Sequence, residues 1–287
     1  MMTAMPSGVL VIIGVLCGVL GLVVGSFLNV VIYRVPNDLS IVSPPSACPH
    51  CGTRIKPYDN VPVVSWLVLR AKCRTCKVAI SPRYPLVELG TALFFGAVAW
   101  GILSGWVSAG SSGADVRSMA GTILVLIAFL YLAAVSVALA LIDLDVHRLP
   151  NVIVLPSYLV GAGLLSAAAV THGDLTSLLR AGVGLAALWA VYFLLALVYP
   201  GGMGFGDVKL SGLLGLYLGF VGWGELAVGA FAAFLLGGVF AVALLASRRA
   251  TRKSGIPFGP WMLAGAWVGI FFGGQVWDGY LTLLGAV

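Results

Sequence analysis

Charge is what this sequence lacks. Of 287 residues only 9% are charged, against 60% that are hydrophobic, whereas a soluble domain carries roughly a quarter charged residues. The shortage excludes a water-coated globule, because too little polar surface remains to cover one; lipid is the solvent for most of the chain. Acidic residues are scarcest, ten Asp and Glu in all, so each can be asked what it does. No Lys or Arg precedes the first apolar stretch, from Gly8 to Tyr33, and no small-x-small cleavage site follows it. A secretory signal has a basic start and a shorter apolar run of roughly 7–15 residues, so this stretch is expected to be a retained first membrane helix. The G-x-G-x-x-G nucleotide fingerprint after a strand is missing. So is a convincing internal repeat of the kind that marks a transporter.

What is present is apolar length. Stretches near the ~20 residues that cross a bilayer recur at 8–33, 85–105, 119–142, 151–170, 177–199, 207–222, 225–246 and 257–282. They predict an all-α polytopic membrane protein of about eight transmembrane helices, the sixth short and glycine-rich and the last with Gly273-Gly274 as an early end. Half of the sixteen Lys and Arg residues fall between Arg34 and Arg83. Arg148, Lys209 and the cluster Arg248, Arg249, Arg252 and Lys253 share that side, and only Arg117 and Arg180 take the other. The positive-inside rule then places both termini outside and the 34–84 loop in the cytoplasm. The formal charge of +6 therefore reports topology, with some attraction to anionic lipid, and calls for no nucleic-acid partner. The expected organisation is a first transmembrane helix at 1–33, a cytoplasmic loop at 34–84 and a membrane core at 85–287.

Cys17 lies in the first apolar stretch and reads as packing. The other four cysteines share the polar loop, as Cys48-Pro-His-Cys51, twenty-one residues, then Cys73-Arg-Thr-Cys76. Two CxxC knuckles at this spacing suit a tetrahedral four-cysteine zinc site of the zinc-ribbon kind, with the spacer folding as a small hairpin. A cytoplasmic loop disfavours structural disulfides; a thiol–disulfide redox role is the competing use of the same residues. His50, between two of the cysteines, reads as solvent-facing. Four protein ligands leave no open position, so a zinc ion here would fold the loop and not catalyse.

Asp38, Asp59, Asp115 and Asp174 belong to loops, and Glu225 and Asp278 to outer helix ends. Glu88, near the start of the second span, reads as a partner for a nearby basic residue. Three carboxylates remain: Asp143 and Asp145 at the end of the third span, and Asp207 in Gly201-Gly-Met-Gly-Phe-Gly-Asp-Val-Lys-Leu210 at the start of the sixth. A carboxylate within a membrane segment is costly and a functional candidate by default. The third and sixth spans run in opposite directions, so Asp143 and Asp207 are expected at one depth. Two carboxylates close together cannot both ionise easily. The ionised one can then take a proton from water while the other polarises a carbonyl, as in an aspartic protease. Gly204 and Gly206 give a backbone able to lie close to an extended peptide. Helix ends suggest a division of labour: the dipole favours an anion at Asp207, at a helix start, and the shared proton at Asp143, at a helix end. Lys209 is expected either to orient Asp207 or substrate, or to snorkel at the helix end.

In combination these segments resemble the type IV prepilin peptidases, also called leader peptidase/N-methyltransferases. The resemblance is carried by Gly25-Ser-Phe-Leu-Asn-Val-Val-Ile-Tyr-Arg34, the two knuckles, Tyr58-Asp-Asn-Val-Pro62 and Ser81-Pro-Arg-Tyr-Pro-Leu-Val-Glu-Leu89. Asp143 to Asn151, Gly204-Phe-Gly-Asp-Val-Lys-Leu210 and Pro257-Phe-Gly-Pro260 continue it. It implies a bacterial inner-membrane, multi-pass GxGD-type aspartic protease cutting the basic leader of prepilins or pseudopilins, with Asp207 and Asp143 as the catalytic pair. Asp145 is the alternative first aspartate, or one that tunes the site. The resemblance further implies N-methylation of the new N-terminus with S-adenosylmethionine, for which Glu88 is a candidate participant. A presenilin-like protease shares GxGD, but Ile142 and not Tyr precedes Asp143, and that family's Pro-Ala-Leu string is missing.

Overall fold

The computed structural model describes residues 7–105, 116–199, 203–247 and 255–285. In chain order they form α1 (Ser7–Arg34), the five-residue α2 (Val64–Val68), α3 (Arg83–Leu103), α4 (Val116–Val146) and α5 (Asn151–His172). There follow α6 (Leu175–Val198), α7 (Phe205–Val221), α8 (Trp223–Ala246) and α9 (Gly259–Leu283). Among the described residues there is no strand, only two isolated bridges. Apolar chain in lipid has no water to satisfy its backbone, and a helix satisfies it internally. The basic cluster from Arg248 to Lys253, together with Asp115, Gly201 and Gly202, lies outside the described residues.

The eight expected spans therefore appear as eight long helices, six of which are long and apolar enough to cross a membrane. The exceptions are α7 and α9. At 17 residues, α7 is about 26 Å long, short of the ~30 Å hydrocarbon core; it is buried over almost all its length, so neighbouring helices and not lipid surround it. The early end expected in α9 does not occur, and the helix runs through Gly273 and Gly274 to Leu283. Those glycines are contact points: a Cβ on Gly273 would stand 2.5 Å from the Glu225 Cα on α8. The third long helix, α4, ends at Val146, so Asp143 and Asp145 stand in its last turn, at the end of the span as expected.

The chain divides into two compact units, with the boundary between Trp100 and Gly101. In the first, α1 meets α3 through Gly21 and Gly25, where added Cβ atoms would lie 2.7 Å from the Ala92 Cα and 2.8 Å from the Glu88 Cα. Small residues at such positions let two backbones approach. The second unit uses the same device twice. Gly184 on α6 faces the carbonyl of Gly215 on α7, and Gly265, Gly269 and Gly273 on α9 face Ala233, Gly229 and Glu225 on α8. Aromatic contacts set the register of the central helices. Tyr217 donates to the Ala128 carbonyl (3.2 Å) and meets Phe129 edge-on, while Trp267 Nε1 donates to Ser136 Oγ (3.0 Å). Arg180 supplies the donors for the last carbonyls of α7, those of Gly219, Phe220 and Val221, which no intrahelical N–H can reach. These antiparallel pairings carry the end of α4 and the starts of α7 and α9 to one end of the bundle.

Candidate functional site

In the first unit, the four loop cysteines converge. Their sulfurs all lie within 4.8 Å of one another, with Cys48 and Cys76 at 3.8 Å. Ligands about 2.3 Å from a common ion in tetrahedral array stand about 3.8 Å apart, so this cluster could hold a metal ion. Each knuckle is closed by the same bonds: Cys48 N–H to Thr53 O and Gly52 N–H back to Cys48 O, then Cys73 N–H to Val78 O and Lys77 N–H back to Cys73 O. The residue four places after the first cysteine is left-handed in both, Gly52 at φ +68° and Lys77 at φ +60°. Hydrogen bonding by the Thr53 hydroxyl pulls the Cys51 thiol down to about 6, which favours the thiolate that a metal requires. The spacer departs from the expected hairpin. It holds a 3-10 turn at Pro57–Asp59 and then α2, tied down by a bidentate ion pair from Arg74 to Asp59 and by Trp66 Nε1 to Ile80 O. Glu88 is buried, and its carboxylate accepts the Val63 N–H at 2.7 Å. Val63 is a β-branched residue at φ +59°, a costly conformation, so this bond fixes the turn that starts α2.

In the second unit, Asp143 and Asp207 are brought to one end of the bundle. Each has one carboxylate oxygen tied to a glycine N–H: Asp143 Oδ2 accepts from Gly259 at 3.0 Å, and Asp207 Oδ2 from Gly204 at 3.1 Å. Among the described residues the second oxygen of each accepts no hydrogen bond. The two are near enough for Asp207 to feel the charge of Asp143. Leu149, in the short connection from α4 to α5, lies against both glycines that flank the pair, 3.1 Å from where a Gly206 Cβ would stand and 3.3 Å from a Gly259 Cβ. Asp143 is 5% exposed. Asp145, two residues on and so about 200° around the helix, is exposed.

Two expectations change here. Helix ends were to make the two aspartates unlike, one at a helix start and one at a helix end. Gly259 is the first residue of α9, so Asp143, although near the C-terminus of α4, also sits at a helix start, and the expected asymmetry is lost. Lys209 neither pairs with Asp207 nor simply extends to solvent: its ammonium donates to Asn151 Oδ1 at 3.0 Å and lies over the Phe205 ring. The Tyr158 hydroxyl donates to the Lys209 carbonyl, so α5 holds the first turn of α7. Gly259 and Leu149 carried no signal of their own in the sequence; Gly259 is distinguished only as part of the Pro257-Phe-Gly-Pro260 string.

The comparisons with known proteins fall on this geometry. A model described as the type IV leader peptidase family matches residues 129–242, and one described as the bacterial peptidase A24 N-terminal domain matches residues 19–102. A prepilin leader peptidase/N-methyltransferase of Pseudomonas aeruginosa is 37% identical over 297 residues, covering 94% of both chains. The chain belongs to the type IV leader peptidase family. Proteins of the same name from Aeromonas hydrophila and Neisseria gonorrhoeae are 36% and 34% identical, each over 91% of both chains. No solved structure matches. The leader peptidase match takes in Asp143 and Asp207, and the N-terminal match takes in the four cysteines and Glu88. Gly259 lies beyond both.

Proposed function

We propose that this leader peptidase is a membrane aspartic endopeptidase that removes the leader of type IV prepilins or pseudopilins and then methylates the new N-terminus. The observation that carries the protease reading is the pairing of Asp143 and Asp207, each anchored through one oxygen by a helix-starting glycine segment. Both carboxylates keep an oxygen for substrate and water. One ionised aspartate takes a proton from water, and the other, protonated, polarises the scissile carbonyl. The hydroxyl adds to that carbon, the C–N bond breaks, and the shared proton passes to the departing amine. Gly204 and Gly206 leave the backbone open beside Asp207, and Lys209 and Asn151 hold the turn that presents it.

The positive-inside rule supports an inner-membrane protein with this site and the cysteine loop on the cytoplasmic side. There a basic leader would stay in water while the apolar segment after the cut lies in the bilayer. In this reading 34–84 is a metal-folded module between the first span and the core at 85–287. Cys48, Cys51, Cys73 and Cys76 would hold zinc as a closed four-thiolate set, which folds the loop and leaves no position for substrate. For methylation the reading rests on the dual name borne by the relatives. S-adenosylmethionine is the consumed methyl donor, and Glu88 supports that unit by fixing the Val63 turn.

The test is cleavage of a synthetic prepilin-like peptide by purified protein in detergent. Wild type cuts after the leader, and Asp143→Asn and Asp207→Asn are each folded, metal-loaded and inactive. If Asp143→Asn still cuts while Asp145→Asn does not, the pair is misassigned; if wild type cuts no such leader, the reading fails.

A further inference from the structure

Tyr192, near the C-terminal end of α6, is the buried phenol that neither the fold nor the two-aspartate chemistry has used. Its residue is 2% exposed, yet among the described residues no group hydrogen-bonds its hydroxyl. A buried tyrosine tip ordinarily finds a partner, and leaving one unmade is costly. Other tyrosines of this unit conform: buried Tyr217 donates to Ala128 O and half-buried Tyr158 to Lys209 O. Nor is the tip sealed in apolar packing as the His172 ring nitrogens and Trp261 Nε1 are. Tyr192 lines a small crevice with Ser211 of α7 and Met262 of α9.

The ring is fixed toward the aspartates. It packs on Phe234 of α8, with centroids 5.3 Å apart, and on Phe258 at 6.3 Å. Phe258 directly precedes Gly259, whose N–H holds Asp143. On the other side the antiparallel register of α6 and α7, with Gly184 against Gly215 and Ser211 Oγ donating to the Leu188 carbonyl, brings Tyr192 alongside Asp207, without a direct hydrogen bond between them. A phenol alongside one anchored carboxylate, and packed on the residue before the glycine that anchors the other, with no direct bond to either, is placed to act through one water.

We propose that Tyr192 is a positioning residue of the two-aspartate site, its hydroxyl donating through one water to the Asp207 oxygen that Gly204 leaves free. That bond fixes the rotamer of Asp207 and favours its ionised form. Among the described residues the other titratable groups at this end of the bundle are Asp143, Asp145, His147 and Arg148 at the end of α4, Tyr158 on α5, Tyr199 at the end of α6 and Lys209 on α7. Tyr158 and Lys209 are already engaged with the Lys209 carbonyl and Asn151. The acidic residues of α8 and α9, Glu225 and Asp278, stand at the far ends of their helices from the site.

The inference rests on the two-aspartate reading, and the experiment separates the two. Peptide cleavage is followed against pH for wild type, Tyr192→Phe and Phe234→Leu. Tyr192→Phe keeps the ring contacts and loses only the hydroxyl. Its kcat is expected to fall roughly tenfold with KM within about twofold, and its acid limb to move upward by about half a pH unit or more, since Asp207 loses a donor to its charged form. Phe234→Leu loosens the same packing but retains the hydroxyl, and is expected to keep the wild-type acid limb. A Tyr192→Phe profile superimposable on wild type overturns the proposal. So does a Phe234→Leu profile displaced in the same way, because packing would then be responsible. Wild-type protein that cuts nothing sinks the protease reading itself.

Discussion

Gly259→Ala tests the site where the structure commits itself most. A Cβ at this position would stand 2.7 Å from Asp143 Oδ2 and 3.3 Å from both Asp143 Cγ and Leu149 Cδ2. The first contact is closer than real Cβ atoms come, so the carboxylate must rotate away and give up the 3.0 Å bond from the Gly259 N–H. A hydrogen bond to a charged group is worth about 1.5–3 kcal/mol, which at the transition state is roughly a 10–150-fold loss of kcat. The fold should not suffer. Residue 259 begins a helix, where alanine is the better helix former by about 1 kcal/mol, so thermal stability and metal content are expected to hold. The control is Gly182→Ala on α6, away from the site, where the added Cβ meets nothing within 4 Å. Its cleavage rate is expected to stay within about threefold of wild type. Cleavage of a prepilin-like peptide with melting curves for each variant decides the matter. If Gly259→Ala cuts as fast as wild type, or Gly182→Ala is slowed as much, the Gly259 bond does not position Asp143 and the reasoning is wrong.

Two further outcomes concern the cysteine loop. Gly52→Ala places a side chain at φ +68° in open space, so it should cost about 1 kcal/mol of left-handed strain alone, whereas Lys77→Gly, at φ +60°, should relieve the same strain. Metal release to a chelator is expected to quicken in the first and slow in the second, and faster release from Lys77→Gly would show that the knuckles are not equivalent. The Arg74 guanidinium holds the Asp59 carboxyl below its ordinary value. The contribution of this pair is therefore fully present above the unfolded pKa of about 4 and is lost as pH falls through the lowered folded value. Wild type should resist proteolysis within the loop better than Arg74→Ala at neutral pH, and the difference should vanish on acidification; a difference that grew on acidification would refute the pair's role.

Where the sequence could be read, one physical constraint dominated. Apolar runs of bilayer length have few alternatives to helix, so all eight long helices stand within a few residues of their expected places, and the CxxC spacing foretold the sulfur cluster because a tetrahedral ion leaves little choice of geometry. Helix contacts were less legible. Gly273-Gly274 looked like a stop, because a glycine that ends a helix and a glycine that admits a neighbouring backbone are the same letter; only the Glu225 backbone beside it tells them apart. The spacer of the loop misled for a related reason. Its short turns depend on side chains distant in sequence, such as Glu88 on Val63 and Trp66 on Ile80, and not on a period that hydrophobicity can display.

The division of labour between the aspartates shows the same limit at the site itself. From one dimension, Asp143 belongs to the end of its own helix and Asp207 to the beginning of its own, and the dipole separates them. The fold adds a third helix whose first N–H reaches Asp143 across 116 residues of chain, and the two carboxylates become matched in their anchoring. Whatever makes one of them the acid and the other the base must then come from what faces their free oxygens, not from the helices they ride on. On the Asp207 side that is the phenol of Tyr192. On the Asp143 side it is the end of α4, where the His147 N–H bonds the Asp143 carbonyl at 2.9 Å. A His147→Ala variant that shifted the acid limb while Tyr192→Phe did not would assign the asymmetry to the α4 side of the site.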